Sequence, residues 1–163
     1  MTLENIYYIG QTIAVVAILA SLAAIWIQMR QANRLAKLET SRAIWMDAGA
    51  RITSQIEDAE KAEFLQRALF GADDLTTAEK TRLYLVLSSM FLVFENGFVM
   101  HRSGMMEERF WPRMRDSLHD YIAPERAQRW WRIARKRTFR ANPEFIAEVD
   151  AVIAEIKQEM EME

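Results

Sequence analysis

The chain has 163 residues, a net charge of −2 and no cysteine. The missing thiols exclude disulfides, thiolate metal sites and a cysteine nucleophile, and the near-zero charge gives no bulk attraction for nucleic acid. Half of the residues are apolar, while glycine and proline are scarce. That balance excludes a disordered chain and suits long helices better than a turn-rich sheet.

Residues 6–27 carry no charged side chain. A helix of that length is about 33 Å long, enough to cross a hydrocarbon core of roughly 30 Å. Tyr7 and Tyr8 stand at one end and Trp26 at the other, where amphipathic rings favour the headgroup layers. A cleaved signal peptide is the competing reading, with Ser21-Leu22-Ala23 as the cleavage site. The opening Met-Thr-Leu-Glu-Asn has no basic residue, and signal peptides usually start basic, so a retained anchor is favoured. Arg30, Arg34, Lys37 and Arg42 follow the span, which puts the C-terminal part in the cytoplasm and the N-terminus outside. Gly10, Ala14, Ala17, Ser21 and Ala24 alternate at spacings of four and three. They form a small-residue seam that admits another transmembrane helix. Gln28, Gln31, Leu35 and Leu38 continue the spacing as a coiled-coil stripe.

Behind the anchor, Leu35, Leu38, Ile44, Trp45, Ile52 and Ile56 keep an approximate helical period. The first helix is therefore expected to run into the mid-fifties. A short amphipathic helix carries Phe64, Leu65, Ala68 and Leu69 and stops at Gly71. Thr76 and Glu79 fit a capping box that opens a helix to about Arg102, with Gly104 just past its end. Its stretch from Leu83 to Met100 is apolar nearly all round, so it is either the central core helix or a second membrane span. Glu95 and Asn96, costly in lipid, favour the core helix. Three more helices are expected: about 107–121 with Pro112 disturbing the early turns, Pro124 to about Arg137, and one capped by Asn142. The last has Pro143 first and Phe145, Val149, Val152 and Ile156 on its apolar stripe. Its acidic tail beyond Lys157 is expected to fray. The architecture is thus all-α: one N-terminal transmembrane helix continuing into a bundle of about five helices. The expected divisions are 1–30 anchor, 31–58 juxtamembrane helix and 59–163 soluble helical domain.

Several pieces along the chain act together. Gln28-Met29-Arg30-Gln31-Ala32-Asn33-Arg34 follows the anchor, and Leu75-Thr76-Thr77-Ala78-Glu79 precedes Arg82. Phe94-Glu95, Gly104 before Trp111, Pro124 before Trp131, Phe145 and Val149-Asp150 complete the set. In this pattern the chain resembles an uncharacterised bacterial family of small proteins with one N-terminal transmembrane helix and a cytoplasmic helical domain. The resemblance implies an anchored helical protein and supplies no activity. The dense Arg-Trp segment departs from the family's pattern.

That segment is the strongest local signal. Arg126, Arg129, Arg132, Arg135, Lys136, Arg137 and Arg140 fall within 15 residues, interleaved with Trp130 and Trp131. It reads as a contact with anionic lipid headgroups or with an acidic partner surface, and least as a nucleic-acid site. The internal alternative is neutralisation by Glu144, Glu148, Asp150, Glu155 and Glu159 of the last helix and by Glu57, Asp58, Glu60 and Glu63. Glu95, in an apolar helix, is a buried-charge candidate, expected to have a raised pKa or an arginine partner from 109–140. Its functional alternative is a proton-handling or ligand-binding carboxylate. Asp116 and His119 share a helix face as half of a metal site without a visible second half. No phosphate loop, nucleophile elbow or Glu-x-x-His motif occurs. Neither a catalytic residue nor a cofactor or metal ligand is therefore assigned.

The sequence thus points to a non-enzymatic accessory or scaffolding subunit of a complex in the bacterial inner membrane. Another membrane protein is its expected partner, and a homo-oligomer is compatible with the same seam. The alternative is a membrane-tethered sensor that binds a small ligand or lipid in its helical domain, near Glu95. An enzyme ranks last.

Overall fold

The computed structural model describes residues 3–162. Among them there are six α-helices and no strand: α1 (Leu3–Gln55), α2 (Ala59–Phe70), α3 (Thr77–Arg102), α4 (Phe110–Ile122), α5 (Glu125–Arg137) and α6 (Pro143–Met162). The chain divides into two compact units, Met1–Glu39 and Thr40–Glu163.

The first unit is a single stretch of α1. Its apolar side chains face outward without a partner; Ile13 and Leu19, for instance, are 64% and 60% exposed. By length and composition this part of α1 is apolar enough to cross a membrane. Two hydroxyl side chains within the apolar stretch are satisfied by the helix itself. Thr12 donates to the Tyr8 carbonyl at 2.9 Å and Ser21 to the Ala17 carbonyl at 2.8 Å. Such bonds let hydroxyl side chains sit in an apolar surrounding.

The second unit is built around α3. This helix also meets the length and composition of a membrane span. However, Leu83, Leu87, Met90, Phe91, Phe94 and Phe98 are buried along it against neighbouring helices. Its ends are set by local chemistry. Thr76 accepts the Glu79 backbone N–H, and the Glu79 carboxylate accepts the Thr76 N–H at 2.8 Å, closing a capping box. At the other end Gly104 adopts φ +68°, and Met105 N–H reaches back to the Met100 carbonyl at 2.9 Å. Only a residue without a Cβ accepts that left-handed conformation at low cost. Gly97 lets α4 lie close to α3, since a Cβ there would come within 2.6 Å of the Met114 side-chain tip.

α6 contributes the stripe Phe145, Val149, Val152 and Ile156, and α5 contributes Ala127, Trp130, Trp131 and Ala134. The rings converge on Phe91, whose centroid lies 4.8 Å from Trp130, 5.5 Å from Trp131 and 5.6 Å from Phe94. Phe139, fully buried in the α5–α6 connection, stacks against Trp131 at 5.3 Å. The C-terminal part of α1 belongs to this core, because Ile44 and Ala48 are buried in it. The compact unit therefore begins at Thr40, nearly twenty residues before the expected soluble-domain boundary at 59.

Three helix ends differ from the sequence reading. α4 starts at Phe110 rather than near 107. Pro112 falls in its first turn, where backbone N–H groups have no intrahelical acceptor, so the proline does no damage. Pro124 is the cap before α5, in extended conformation, rather than its first helical residue. The α6 tail stays helical to Met162.

Candidate functional site

The structure divides the Arg-Trp segment into an inward and an outward half. Trp130 and Trp131 are 6% and 1% exposed. Both belong to the aromatic core rather than to an exposed contact surface, though Trp130 also lines a cleft. The reason is helical spacing: they share a face with Ala127 and Ala134, which are also fully buried. Trp131 donates its indole N–H to Asp150 at 3.0 Å, and Arg135 pairs with the same carboxylate at 2.7 Å. Arg126 turns the other way, toward the end of α2. Its guanidinium donates to the carbonyls of Arg67, Ala68, Gly71 and Asp73 at 2.7–3.3 Å. It thus satisfies carbonyls left open at a helix C-terminus, where a cation is also favoured by the helix dipole.

The outward half consists of Arg129, Arg132, Lys136, Arg137 and Arg140, all exposed. Among the described residues, none of the five makes an ion pair. Most of the acids expected to neutralise them are engaged elsewhere. Glu148 and Glu155 hold Arg115 of α4 at 2.8 and 2.6 Å, Glu144 holds Arg102, and Glu159 faces His119 at 3.2 Å. Arg115 is held more firmly protonated by its carboxylates, Glu155 first, and Arg115 in turn lowers the Glu155 pKa. Ile133 of the same helix is 54% exposed.

A cleft of about 490 Å³ opens between the α2–α3 loop, the start of α3 and α5, with Lys80, Tyr84, Arg129 and Trp130 in its wall. The sequence reading passed over Lys80 and Tyr84. Local patterning marks them only as members of the first turns of α3, and their approach to Arg129 is purely tertiary.

Glu95 is half-buried rather than enclosed. Burial raises its pKa, and the Asn142 side chain opposes the shift. The group beside it is thus an amide, not the arginine expected. His101 stacks on Trp111 at 5.9 Å. His119 is turned to Glu159 and Asp120. Among the described residues no three His, Asp or Glu side chains group as a metal site. Gly10, Ala14, Ala17, Ser21 and Ala24 are exposed along the helix of the first unit.

No family model matches the chain, and no curated protein or solved structure matches it.

Proposed function

We propose that this protein is a non-enzymatic accessory or scaffolding subunit of a complex in the bacterial inner membrane. Residues 7–27 of α1 form its single transmembrane helix, with the N-terminus outside. The small seam from Gly10 to Ala24 packs against a membrane helix of the partner. Thr40–Glu163, the cytoplasmic bundle, covers that partner's cytoplasmic face, and α3 stays in its core. The observation that carries this reading is the outward face of α5. Arg129, Arg132, Lys136 and Arg137 on α5 and Arg140 just beyond it are exposed and make no ion pair among the described residues, and Ile133 of the same helix is exposed. Within a chain of net charge −2, so local an excess is suited to an acidic protein surface with an apolar centre.

The test is extraction of native membranes in mild detergent, size separation and mass spectrometry of comigrating chains. A stoichiometric complex is expected, lost when Arg132, Lys136, Arg137 and Arg140 are all changed to Gln. Migration alone, or as a homo-oligomer, overturns the reading. Retention of the complex by the fourfold variant, with loss of binding to anionic vesicles only, assigns the face to lipid instead.

A further inference from the structure

Of the clefts in the second unit that combine charged side chains with apolar walls, two border α5. The larger, about 780 Å³ between α5 and α6, is lined by Glu125 and Asp150 as well as by Arg132, Arg135 and Lys157. Its Arg135 is neutralised by Asp150 at 2.7 Å. The smaller, about 490 Å³, lies within the range of roughly 300–1,000 Å³ typical of small-molecule sites. Its charges do not cancel. Lys80, Arg126 and Arg129 face one carboxylate, that of Asp74. Arg126 is committed to four backbone carbonyls, which leaves its charge uncompensated. Lys80 and Arg129 make no ion pair among the described residues.

The remaining wall is apolar or aromatic: Leu75, Leu83, Tyr84, Trp130 and Ile133. Leu75, Leu83 and Trp130 are themselves 5–6% exposed, so the floor is fixed by the core. A second observation stands apart from the charge pattern. The buried Trp130 indole N–H has no hydrogen-bond partner among the described residues, a condition that costs free energy in a folded core. The Tyr84 hydroxyl is held by Thr138 at 3.2 Å, which orients that ring at the cleft.

We propose that this cleft binds a small organic carboxylate with an apolar body, the carboxylate met by Lys80 and Arg129 and the body lying on Leu75, Trp130 and Ile133. Two cations on an apolar floor recognise that combination and reject both a fully polar anion and a neutral apolar molecule. The site shares Arg129 and Ile133 with the outward face of α5, while Lys80, Leu75 and Tyr84 lie on other elements; the docking variant keeps Arg129, so the two tests fail separately. A subunit that fails to copurify with any partner still carries it.

The test uses the full chain, labelled with nitrogen-15, in nanodiscs of zwitterionic lipid, titrated with 2-naphthoate. The Trp130 indole resonance is assigned from the spectrum of Trp130→Phe. A saturable shift of that resonance is expected, with the Trp26 indole unmoved. Affinity is expected to fall roughly tenfold in Lys80→Gln and in Arg129→Gln, both at exposed positions, and to rise in Asp74→Asn. The neutral analogue 2-naphthamide is expected to bind at least tenfold more weakly. Equal binding of amide and carboxylate overturns the proposal, as does binding indifferent to both charge substitutions or a shift shared by Trp26. A Trp130 resonance displaced on transfer to discs that contain anionic lipid, and unmoved by naphthoate in the zwitterionic ones, also overturns it, in favour of a lipid headgroup.

Discussion

Arg126 and Glu95 show how a charged side chain gains or loses from its surroundings. Arg126 closes the end of α2 through four carbonyls. Arg126→Met leaves those acceptors under-satisfied and is expected to cost about 2–3 kcal/mol in urea unfolding, with Arg126→Lys intermediate. Glu95 works in the opposite sense. Burial raises its pKa, so the native state holds a proton more readily than the unfolded chain. The carboxyl therefore favours folding when protonated and opposes it once ionised, above the usual carboxylate range. Glu95→Gln is expected to stabilise the protein by less than about 1 kcal/mol at pH 7. The gain disappears as the pH falls through the carboxyl range, measured as the shift in urea midpoint. The sequence reading anticipated the raised pKa of Glu95 but not its amide neighbour. It also grouped Arg126 and Arg135 with the surface cations, since only the packing of α2 and α6 against α5 reveals where each guanidinium ends.

The helices themselves were largely legible, because their ends are written in local chemistry. The capping box at Thr76, the stop at Gly71, the turn at Gly104 and the Asn142 cap, which accepts the Phe145 N–H at 3.1 Å, all lie where the spacing predicts them. The start of α4 was misjudged because no side chain caps it. Its onset is set by Trp111 and Met114 entering the core, a tertiary cause without a local mark. The loop before α3 is also fastened by Arg67, which pairs with Glu79. Arg67 first, and then the Thr76 donors, hold the Glu79 pKa down to about 2 from an ordinary 4.5. A depressed carboxyl contributes stability that is complete above pH 4.5 and is lost as pH falls toward 2. The wild-type chain is expected to be more stable than Glu79→Gln at pH 7. The two curves should approach each other across that window, followed by circular dichroism in urea.

At the scale of the whole chain, composition separates an apolar helix from a mixed domain, but it misplaces the border. The sequence reading kept residues 31–58 apart from the soluble domain, whereas burial of Ile44 and Ala48 brings the last part of α1 into the domain core. A fragment 40–163 is therefore expected to unfold cooperatively with a single urea midpoint. A fragment 59–163, which lacks those two contacts, is expected to be less stable by several kcal/mol. The aromatic cluster on Phe91 packs α3 against its neighbouring helices, where length and apolarity alone allowed two fates. Its partners lie far along the chain, in α5, the connection at Phe139 and α6.

That separation matters while the protein is being made. At about 5–20 residues per second, synthesis from Arg102 to Phe145 takes roughly two to nine seconds. Under the proposed anchoring of α1, α3 is for that interval a nascent apolar segment beside the insertion machinery, and lateral release into lipid competes with waiting for α5 and α6. Glu95 tips the contest, because an acidic side chain within a membrane helix costs up to about 3 kcal/mol on insertion. The carboxylate that weakens the finished fold thus protects its route. In Glu95→Leu a fraction of chains is expected to translocate everything beyond α3. Because the chain has no cysteine, a single Ser103→Cys reports that event by its reactivity toward an impermeant maleimide added outside. Equal labelling with and without Glu95→Leu removes Glu95 from this role.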